Sequence, residues 1–241
     1  MKLTGSVILF CASILASYSN CIAQVHPDSI VHWWKNYDQS YGNDYTLVNG
    51  IRYIQVPARA EGHPFLDGDQ FSKGRIVIGE KEFEGVELKY DICNQQIILN
   101  YRDYSGSQQQ IVLISNEIQE FELENRLFRL MELPEKGQRY VQVIEGDPFS
   151  CMFYWHKELV KGLSGEYYYR YLPQTRSTFL MTQGELKPFK GKRSFINSFP
   201  EEYRKEIKGY FRSRSFLFNE ASDTDLQKAV QFCNELIQNG K

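Results

Sequence analysis

The 241-residue sequence lacks an excess of charge of either sign. Its 28 Lys and Arg residues stand against 30 Asp and Glu residues, for a formal net charge of −2. Binding to nucleic acid depends largely on clustered cations that neutralise phosphates, and no long basic run is present. The composition therefore gives no support to a nucleic-acid partner.

The sequence also lacks an apolar run of the roughly 20 residues that a membrane-spanning helix needs. Its main apolar stretch, residues 7–16, follows Lys2 and ends before Cys21-Ile22-Ala23. A basic start, a short apolar core and small residues before a cut are typical of a secretory signal peptide. We predict a signal peptide over residues 1–23 and cleavage between Ala23 and Gln24.

The expected localisation is therefore the periplasm or the extracellular space, and we expect no transmembrane segment in the mature chain. The polar residues 18–20 before Cys21 argue against attachment of a lipid to that cysteine.

Cys93, Cys151 and Cys233 remain after cleavage, without a CxxC motif or a Cys/His cluster, so no zinc site is predicted. They form either one disulfide and a free thiol or three buried thiols.

The common catalytic and cofactor motifs are missing too. The sequence contains no G-x-S-x-G, no H-E-x-x-H, no P-loop and no dinucleotide-binding fingerprint. We therefore predict no metal and no cofactor, and we favour a non-enzymatic protein.

What the sequence does contain is alternation of apolar and polar residues between about Lys73 and Leu133. The run Phe83–Ile92 alternates in this way, and shorter runs at residues 97–99, 111–113 and 121–123 follow after turn-forming residues. This period of two is typical of strands with one buried face, and short connections favour antiparallel pairing. We predict a β-meander that forms a sandwich or an open barrel.

The pattern divides the mature chain into three parts. Residues 24–44 form an N-terminal extension, residues 45–190 an antiparallel β domain with about ten strands, and residues 191–241 a helical pair on the same core. Asn49-Gly50, between residues 45–48 and 51–54, predicts a tight β-hairpin because both residues tolerate positive φ.

Two C-terminal helices are predicted from their apolar stripes. The first follows a capping-box spacing at Ser198 and carries its stripe over residues 203–211. The second begins near Ser222-Asp223 and carries Leu226, Ala229, Val230, Cys233 and Ile237 on one face. The predicted fold class is therefore α+β, a mainly antiparallel sheet covered by two C-terminal helices.

Four residues are candidates for catalysis in a hydrolase whose site is assembled from distant positions: His63, Asp67, Asp91 and His156. His63 lies in a Gly-rich loop with Asp67 and Asp69, which fits either an Asp-x-Asp metal or phosphate site or a turn in which the acids bind their own backbone. His156 lies at a strand end near Glu158, which fits either a general base or a half-exposed histidine without a catalytic role.

The candidates for binding are aromatic. Tyr167, Tyr168 and Tyr169 follow one another in a predicted strand, so adjacent side chains must face opposite sides. Trp33 and Trp34 are adjacent in the N-terminal extension. These residues either line a groove for a ligand or partner, or pack into the core.

The chain resembles a group of exported Bacteroidetes proteins of unknown function. The resemblance rests on Asn49-Gly50 with Tyr53, Gly62-His63-Pro64-Phe65, Gly74, Gly85-Val86, Tyr90-Asp91-Ile92, Lys192-Arg193-Ser194-Phe195 and Ser222-Asp223. It covers most of residues 45–238. It implies export and a sheet with two helices, and it implies no activity.

Two functional hypotheses follow. The first is a non-enzymatic envelope protein that binds a ligand or a protein partner. The second is a periplasmic hydrolase built on His63, Asp67, Asp91 and His156.

Overall fold

The computed structural model describes residues 44–55, 57, 60–162, 168–182, 184–213 and 221–239. Fourteen strands and three α-helices lie in these ranges. The strands are β1 Gly50–Arg52, β2 Ala60–Glu61, β3 Ser72–Ile78, β4 Lys81–Asp91, β5 Gln96–Arg102, β6 Gln108–Leu113, β7 Ile118–Leu123, β8 Arg126–Leu133, β9 Gly137–Ile144, β10 Phe149–His156, β11 Leu159–Lys161, β12 Tyr169–Tyr171, β13 Thr175–Thr182 and β14 Glu185–Phe189. The helices are α1 Lys192–Asn197, α2 Arg204–Ser213 and α3 Asp223–Asn239.

Eleven strands form one antiparallel sheet in the order β1-β6-β5-β4-β3-β7-β8-β9-β10-β13-β14, and the predicted α+β class is confirmed. The order is not a simple meander, because β7 returns to pair with β3 rather than with β6. The remaining strands form a small sheet, β11-β12-β2, in which β12 and β2 run parallel.

The large sheet curls into an open arc. The residues after β4 and β10 are joined by a backbone hydrogen bond of 3.4 Å from Lys157 N–H to the Ile92 carbonyl. The Gln95 amide donates to the Trp155 carbonyl at 3.1 Å. In a flat sheet these strands, five positions apart, would be separated by roughly 24 Å. The curl therefore creates a concave face, which holds the core residues Tyr90, Phe121, Phe128 and Tyr140 of strands β4 to β9.

The helices cover the same face at the β10-β13-β14 end of the sheet. The predicted stripe of α3 is confirmed: its five residues are all buried, and they share one core with Phe153 and Phe195. The structure adds the short helix α1 to the two that the sequence predicts. Ser198 closes α1 by donating to the Ser194 carbonyl, so its predicted role as the cap of α2 is wrong.

The convex face of the central strands carries charge. Arg75 lies between Glu82 and Glu120, at 3.0 and 2.7 Å, and Arg129 lies 3.0 Å from Glu120. Hydrogen bonds from Arg75 and then Arg129 hold the pKa of Glu120 below its usual value. Charged side chains keep this part of the face solvated. In β8–β10 the same face is apolar, because Val141, Val143 and Met152 form a separate buried cluster there.

The hairpin predicted at Asn49-Gly50 is wrong. Residues 45–48 form a turn held by Asp44, whose carboxylate accepts the Thr46 N–H, and Gly50 begins β1, which pairs with β6. A Cβ at Gly50 would lie 2.3 Å from the Val112 carbonyl oxygen. Glycine is therefore needed at Gly50 for the close approach of two strands rather than for a tight turn.

Candidate functional site

Three of the four predicted catalytic residues lie around one lysine. Lys157 follows β10, and its Nζ donates to the backbone carbonyls of His63 and Phe65, at 3.1 and 2.7 Å. Burial lowers the pKa of Lys157, while the nearby carboxylates of Asp67 and Asp91 oppose that shift. The lysine thus fastens the loop that precedes β3 to the place where the ends of β4 and β10 meet.

Asp91 is fully buried at the end of β4. Its carboxylate accepts the N–H groups of Cys93 and Asn94, at 2.9 and 2.8 Å, and the Asn94 side-chain amide at 2.8 Å. Burial raises its pKa, and these hydrogen bonds oppose the rise. Asp91 therefore caps the turn that leads into β5, and all of these contacts serve the fold.

Asp67 also has structural partners. Burial opposes its ionisation, but hydrogen bonds from Arg126 and Gln174 hold the pKa of Asp67 below its usual value. Its backbone has φ of 54°, as a turn residue does. The backbone at Asp67 is therefore that of a turn, but its carboxylate accepts hydrogen bonds from the side chains of Arg126 and Gln174 rather than from its own backbone.

The two histidines have different surroundings. The ring of His63 stacks on Phe65 with centroids 6.0 Å apart, its Nδ1 lies 3.5 Å from Lys157 Nζ, and burial lowers its pKa. His156 stacks on Tyr154 at 5.3 Å, and its Nε2 lies 2.9 Å from the Thr175 hydroxyl. The structure therefore gathers His63, Asp67 and Asp91 and does not bring His156 into the same set of contacts.

The predicted tyrosine strand is only partly exposed. Tyr168, just before β12, is 81% exposed, whereas Tyr169 is half-buried in the middle strand of the small sheet. Their ring centroids are 6.5 Å apart. Tyr167, Trp33 and Trp34 lie outside the described residues.

The three cysteines of the predicted mature chain are free thiols. Cys151 of β10 and Cys233 of α3 are buried in one core, and burial raises the pKa of both thiols, that of Cys233 to about 12. Cys93 is half-buried, and burial raises its pKa as well. A raised pKa disfavours the thiolate, so none of the three is an activated nucleophile.

A cavity that no sequence pattern predicts lies beside β13. The ladder between β13 and β14 ends at the pair Thr178 and Phe189, so the first three residues of β13 run beside β10 without β14 on their other side. The cavity of about 400 Å³ lies there, and α3 contributes Leu226 to its wall. Because the gap depends on where β14 leaves the sheet, local periodicity contains no signal for it.

The cavity has apolar walls and a cationic side. Phe153, Phe179 and Phe189 line it together with Leu226. The guanidinium carbon of Arg176 lies 4.9 Å from the centre of the Phe153 ring. Lys190 is an exposed lining residue.

A second cavity, of about 530 Å³, lies between the β8–β9 and β13–β14 turns. Glu132, Glu135 and Glu185 are among its lining residues. None of His63, Asp67, Asp91 and His156 lines either of these two cavities.

The fold and these sites define an α+β protein with an open, curled sheet and a cavity beside β13, to whose wall α3 contributes Leu226. Comparisons with protein families, with characterised proteins and with solved structures find no match. Within the part of the chain that the structure describes, no three His, Cys, Asp or Glu side chains gather as ligands for a metal. No helix in that part is long and apolar enough to cross a membrane.

Proposed function

We propose that this chain is an exported, non-enzymatic envelope protein that binds an apolar small molecule in the cavity beside β13. The cavity carries the proposal, because about 400 Å³ falls within the range of small-molecule sites, roughly 300–1,000 Å³. Such sites combine apolar walls with a few polar groups, and Phe153, Phe189 and Leu226 supply walls of that kind.

The contacts of Asp67 and Asp91, two of the four predicted catalytic residues, support a non-enzymatic function. Asp91 and Asp67 accept hydrogen bonds from turn and loop groups, and Lys157 donates to two carbonyls. A general base needs an unoccupied lone pair within hydrogen-bond distance of a nucleophile or a bound water. Groups that hold loops and turns in place favour binding over a hydrolase built on these residues.

Export is supported by the signal-peptide pattern of residues 1–23 and by the resemblance to exported Bacteroidetes proteins.

A second candidate function, docking of a protein partner, is supported by Tyr168. A tyrosine that is 81% exposed beside another aromatic ring is the kind of anchor found at interfaces.

The proposed binding is tested with N-phenylnaphthylamine, a neutral apolar fluorophore, and the Gly191→Trp variant. Gly191 lines the cavity, has extended backbone with φ of 173°, and has no atom within 4 Å of an added Cβ. A tryptophan side chain therefore has room at this position of the cavity wall. Gly68→Trp is the matched control, because Gly68 also has open space and does not line the cavity.

We expect one molecule of fluorophore to bind the wild type and the Gly68→Trp variant, and binding to be lost in the Gly191→Trp variant. Calorimetric titration gives the stoichiometry, and circular dichroism confirms folding. Equal binding by all three proteins would refute the cavity as the site.

A further inference from the structure

Basic residues are concentrated in the part of the chain that contains α1 and α2. Residues 187–213 include eight Lys and Arg residues against three Glu and no Asp, in a chain whose 28 basic residues stand against 30 acidic ones. The rest of the chain is therefore acidic. Positive charge concentrated in one region attracts anionic partners to that region even when the whole protein has little net charge.

Lys205, Lys208 and Arg212 form a basic stripe on α2. Their spacing of three and four residues places them on one face of a helix. All three are exposed, whereas Ile207 and Phe211, on the apolar stripe of the same helix, are buried in the core. The fold uses the apolar stripe of α2, and the basic stripe lies at the surface.

The basic stripe differs from other cations of this protein in having no acidic partner. Arg75 on β3, for example, has three carboxylates around it, at 2.7, 3.0 and 3.7 Å. Within the ranges that the structure describes, no carboxylate forms an ion pair with a residue of the stripe. Its charges are therefore neutralised by solvent and salt rather than by the protein.

The charges of the basic stripe also repel one another. Lys205 and Lys208 are three residues apart, and Lys208 and Arg212 are four apart. Like charges at these spacings are neighbours on the helix surface and destabilise the helix slightly. An anionic partner would relieve this repulsion, so the stripe suits a bound state better than the free protein.

Lys192 extends the positive surface from α1 towards α2. Its Nζ lies 5.7 Å from the centre of the Phe211 ring, and the neighbouring Arg193 is exposed. Phe211 directly precedes Arg212 and lies three residues after Lys208. The basic side chains of the two helices therefore lie near one another.

The form of this surface favours a flat anionic partner over a small anion. No residue of the basic stripe lines either of the two cavities, so its charges do not converge on a pocket there. None of the large apolar side chains exposed in the described part of the chain lies on α1 or α2. Contact through this face is therefore electrostatic, without insertion of apolar side chains into the partner.

We infer that the basic stripe, together with Lys192 and Arg193, docks this protein on a membrane surface that contains anionic phospholipids. Charge complementarity carries the inference, because each basic side chain close to an anionic bilayer adds to the attraction. The envelope location is taken from the proposed function, and it places the protein beside a bilayer. The docking does not depend on binding in the cavity beside β13.

Sedimentation with lipid vesicles tests the docking. One set of vesicles is pure phosphatidylcholine, and the other contains about one third of the anionic phosphatidylglycerol. We expect the wild type to partition onto the anionic vesicles on the order of 100-fold more strongly, as at least three basic residues near the surface provide. The ratio of the two partition coefficients cancels binding through apolar segments such as residues 7–16, and added salt should lower it.

The variant Lys205→Gln/Lys208→Gln/Arg212→Gln removes the basic stripe. We expect it to bind both kinds of vesicle almost equally. Its melting temperature should not fall, because the substitutions remove repulsion and no ion pair. The single variant Lys208→Gln should lower the ratio about fivefold, and it decides the matter if the triple variant does not fold.

The matched control is Lys73→Gln/Lys161→Gln/Arg170→Gln. These residues are exposed cations of β3, β11 and β12, two lysines and one arginine as in the basic stripe. The control changes the net charge by the same amount, so it separates a local docking surface from an effect of total charge. Its ratio should stay within about threefold of the wild-type value.

Three results would overturn the inference: equal binding of the wild type to both kinds of vesicle, an unchanged ratio in the stripe variant, or an equal loss in the control. Release from anionic vesicles by a DNA duplex or by heparin, matched to the vesicles in accessible negative charge, would also overturn it. The partner would then be a nucleic acid or an acidic polysaccharide.

The same samples report on the cavity independently. The basic stripe does not line the cavity beside β13, so the stripe variant should bind N-phenylnaphthylamine as the wild type does. Absence of fluorophore binding in the wild type would refute the proposed cavity function and leave the docking surface intact. Loss of vesicle binding alone in the stripe variant supports the docking surface.

Discussion

Asn234 offers the sharpest test of how the helices are attached to the sheet. This residue of α3 is buried, and its side-chain amide forms hydrogen bonds with both the N–H and the carbonyl of Phe149 at the start of β10. The Phe149 N–H donates to Asn234 Oδ1 at 3.0 Å, and Asn234 Nδ2 donates to the Phe149 carbonyl at 2.9 Å. Gly146 lies against the same amide, where an added Cβ would be 2.3 Å from Nδ2.

We predict that Asn234→Leu destabilises the protein markedly, because it leaves two buried backbone groups unpaired. Each such group costs about 1–3 kcal/mol, so the free energy of unfolding should fall by about 2–6 kcal/mol. That is a large part of a typical total of about 5–15 kcal/mol. For a chain of this size it lowers the melting temperature by about 4–24 °C.

Thermal and urea unfolding, followed by circular dichroism, measure the effect. Gln238→Leu is the control: Gln238 is also on α3 and donates to the Asp147 carbonyl at 2.7 Å, but its hydrogen bond is exposed. Water replaces that bond, so the control should change stability by less than about 0.5 kcal/mol. If the two variants melt together, the buried amide does not anchor α3.

Three further predictions concern the termini and the surfaces of the sheets. N-terminal sequencing of protein from the native host should find Gln24 as the first residue; an intact N-terminus would contradict export by the signal. Tyr168→Ala should leave the melting temperature unchanged, because the side chain is exposed, whereas Tyr169→Ala should lower it. The pKa of Glu120 is lower in the folded state, so its stabilisation is present above the unfolded pKa and is lost as the pH falls through the folded value. Glu120→Gln should therefore remove part of the loss of stability below about pH 4.5 in acid titrations, and an unchanged acid limb would contradict this.

Part of the polar cluster around Lys157 could be anticipated from the sequence. His63 and Asp67 lie in one loop, so their proximity is local. Asp91 joins them because Phe65 forms a β-bridge with it, and Lys157 joins because the sheet curls until the ends of β4 and β10 meet. The last two contacts link residues far apart in the chain, and no local pattern encodes them.

Residue order by itself determined the local elements. Alternation between about Lys73 and Leu133 specified strands, because the faces of a strand alternate whatever its partner is. The stripe from Leu226 to Ile237 specified α3 and its buried face, since the periodicity of a helix records which side meets the core. Both predictions depend on neighbours in sequence, and both are confirmed.

Tertiary structure decided the rest. Asn49-Gly50 favours a hairpin locally, but Gly50 begins a strand because β6 approaches it too closely for any side chain. The return of β7 to β3, the curl of the sheet and the end of β14 at Phe189 are choices between competing partners. The cavity beside β13 arises from the last of these choices. It joins Arg176 to Leu226 across the fold, because the position at which a strand leaves a sheet is set by long-range packing rather than by its own residues.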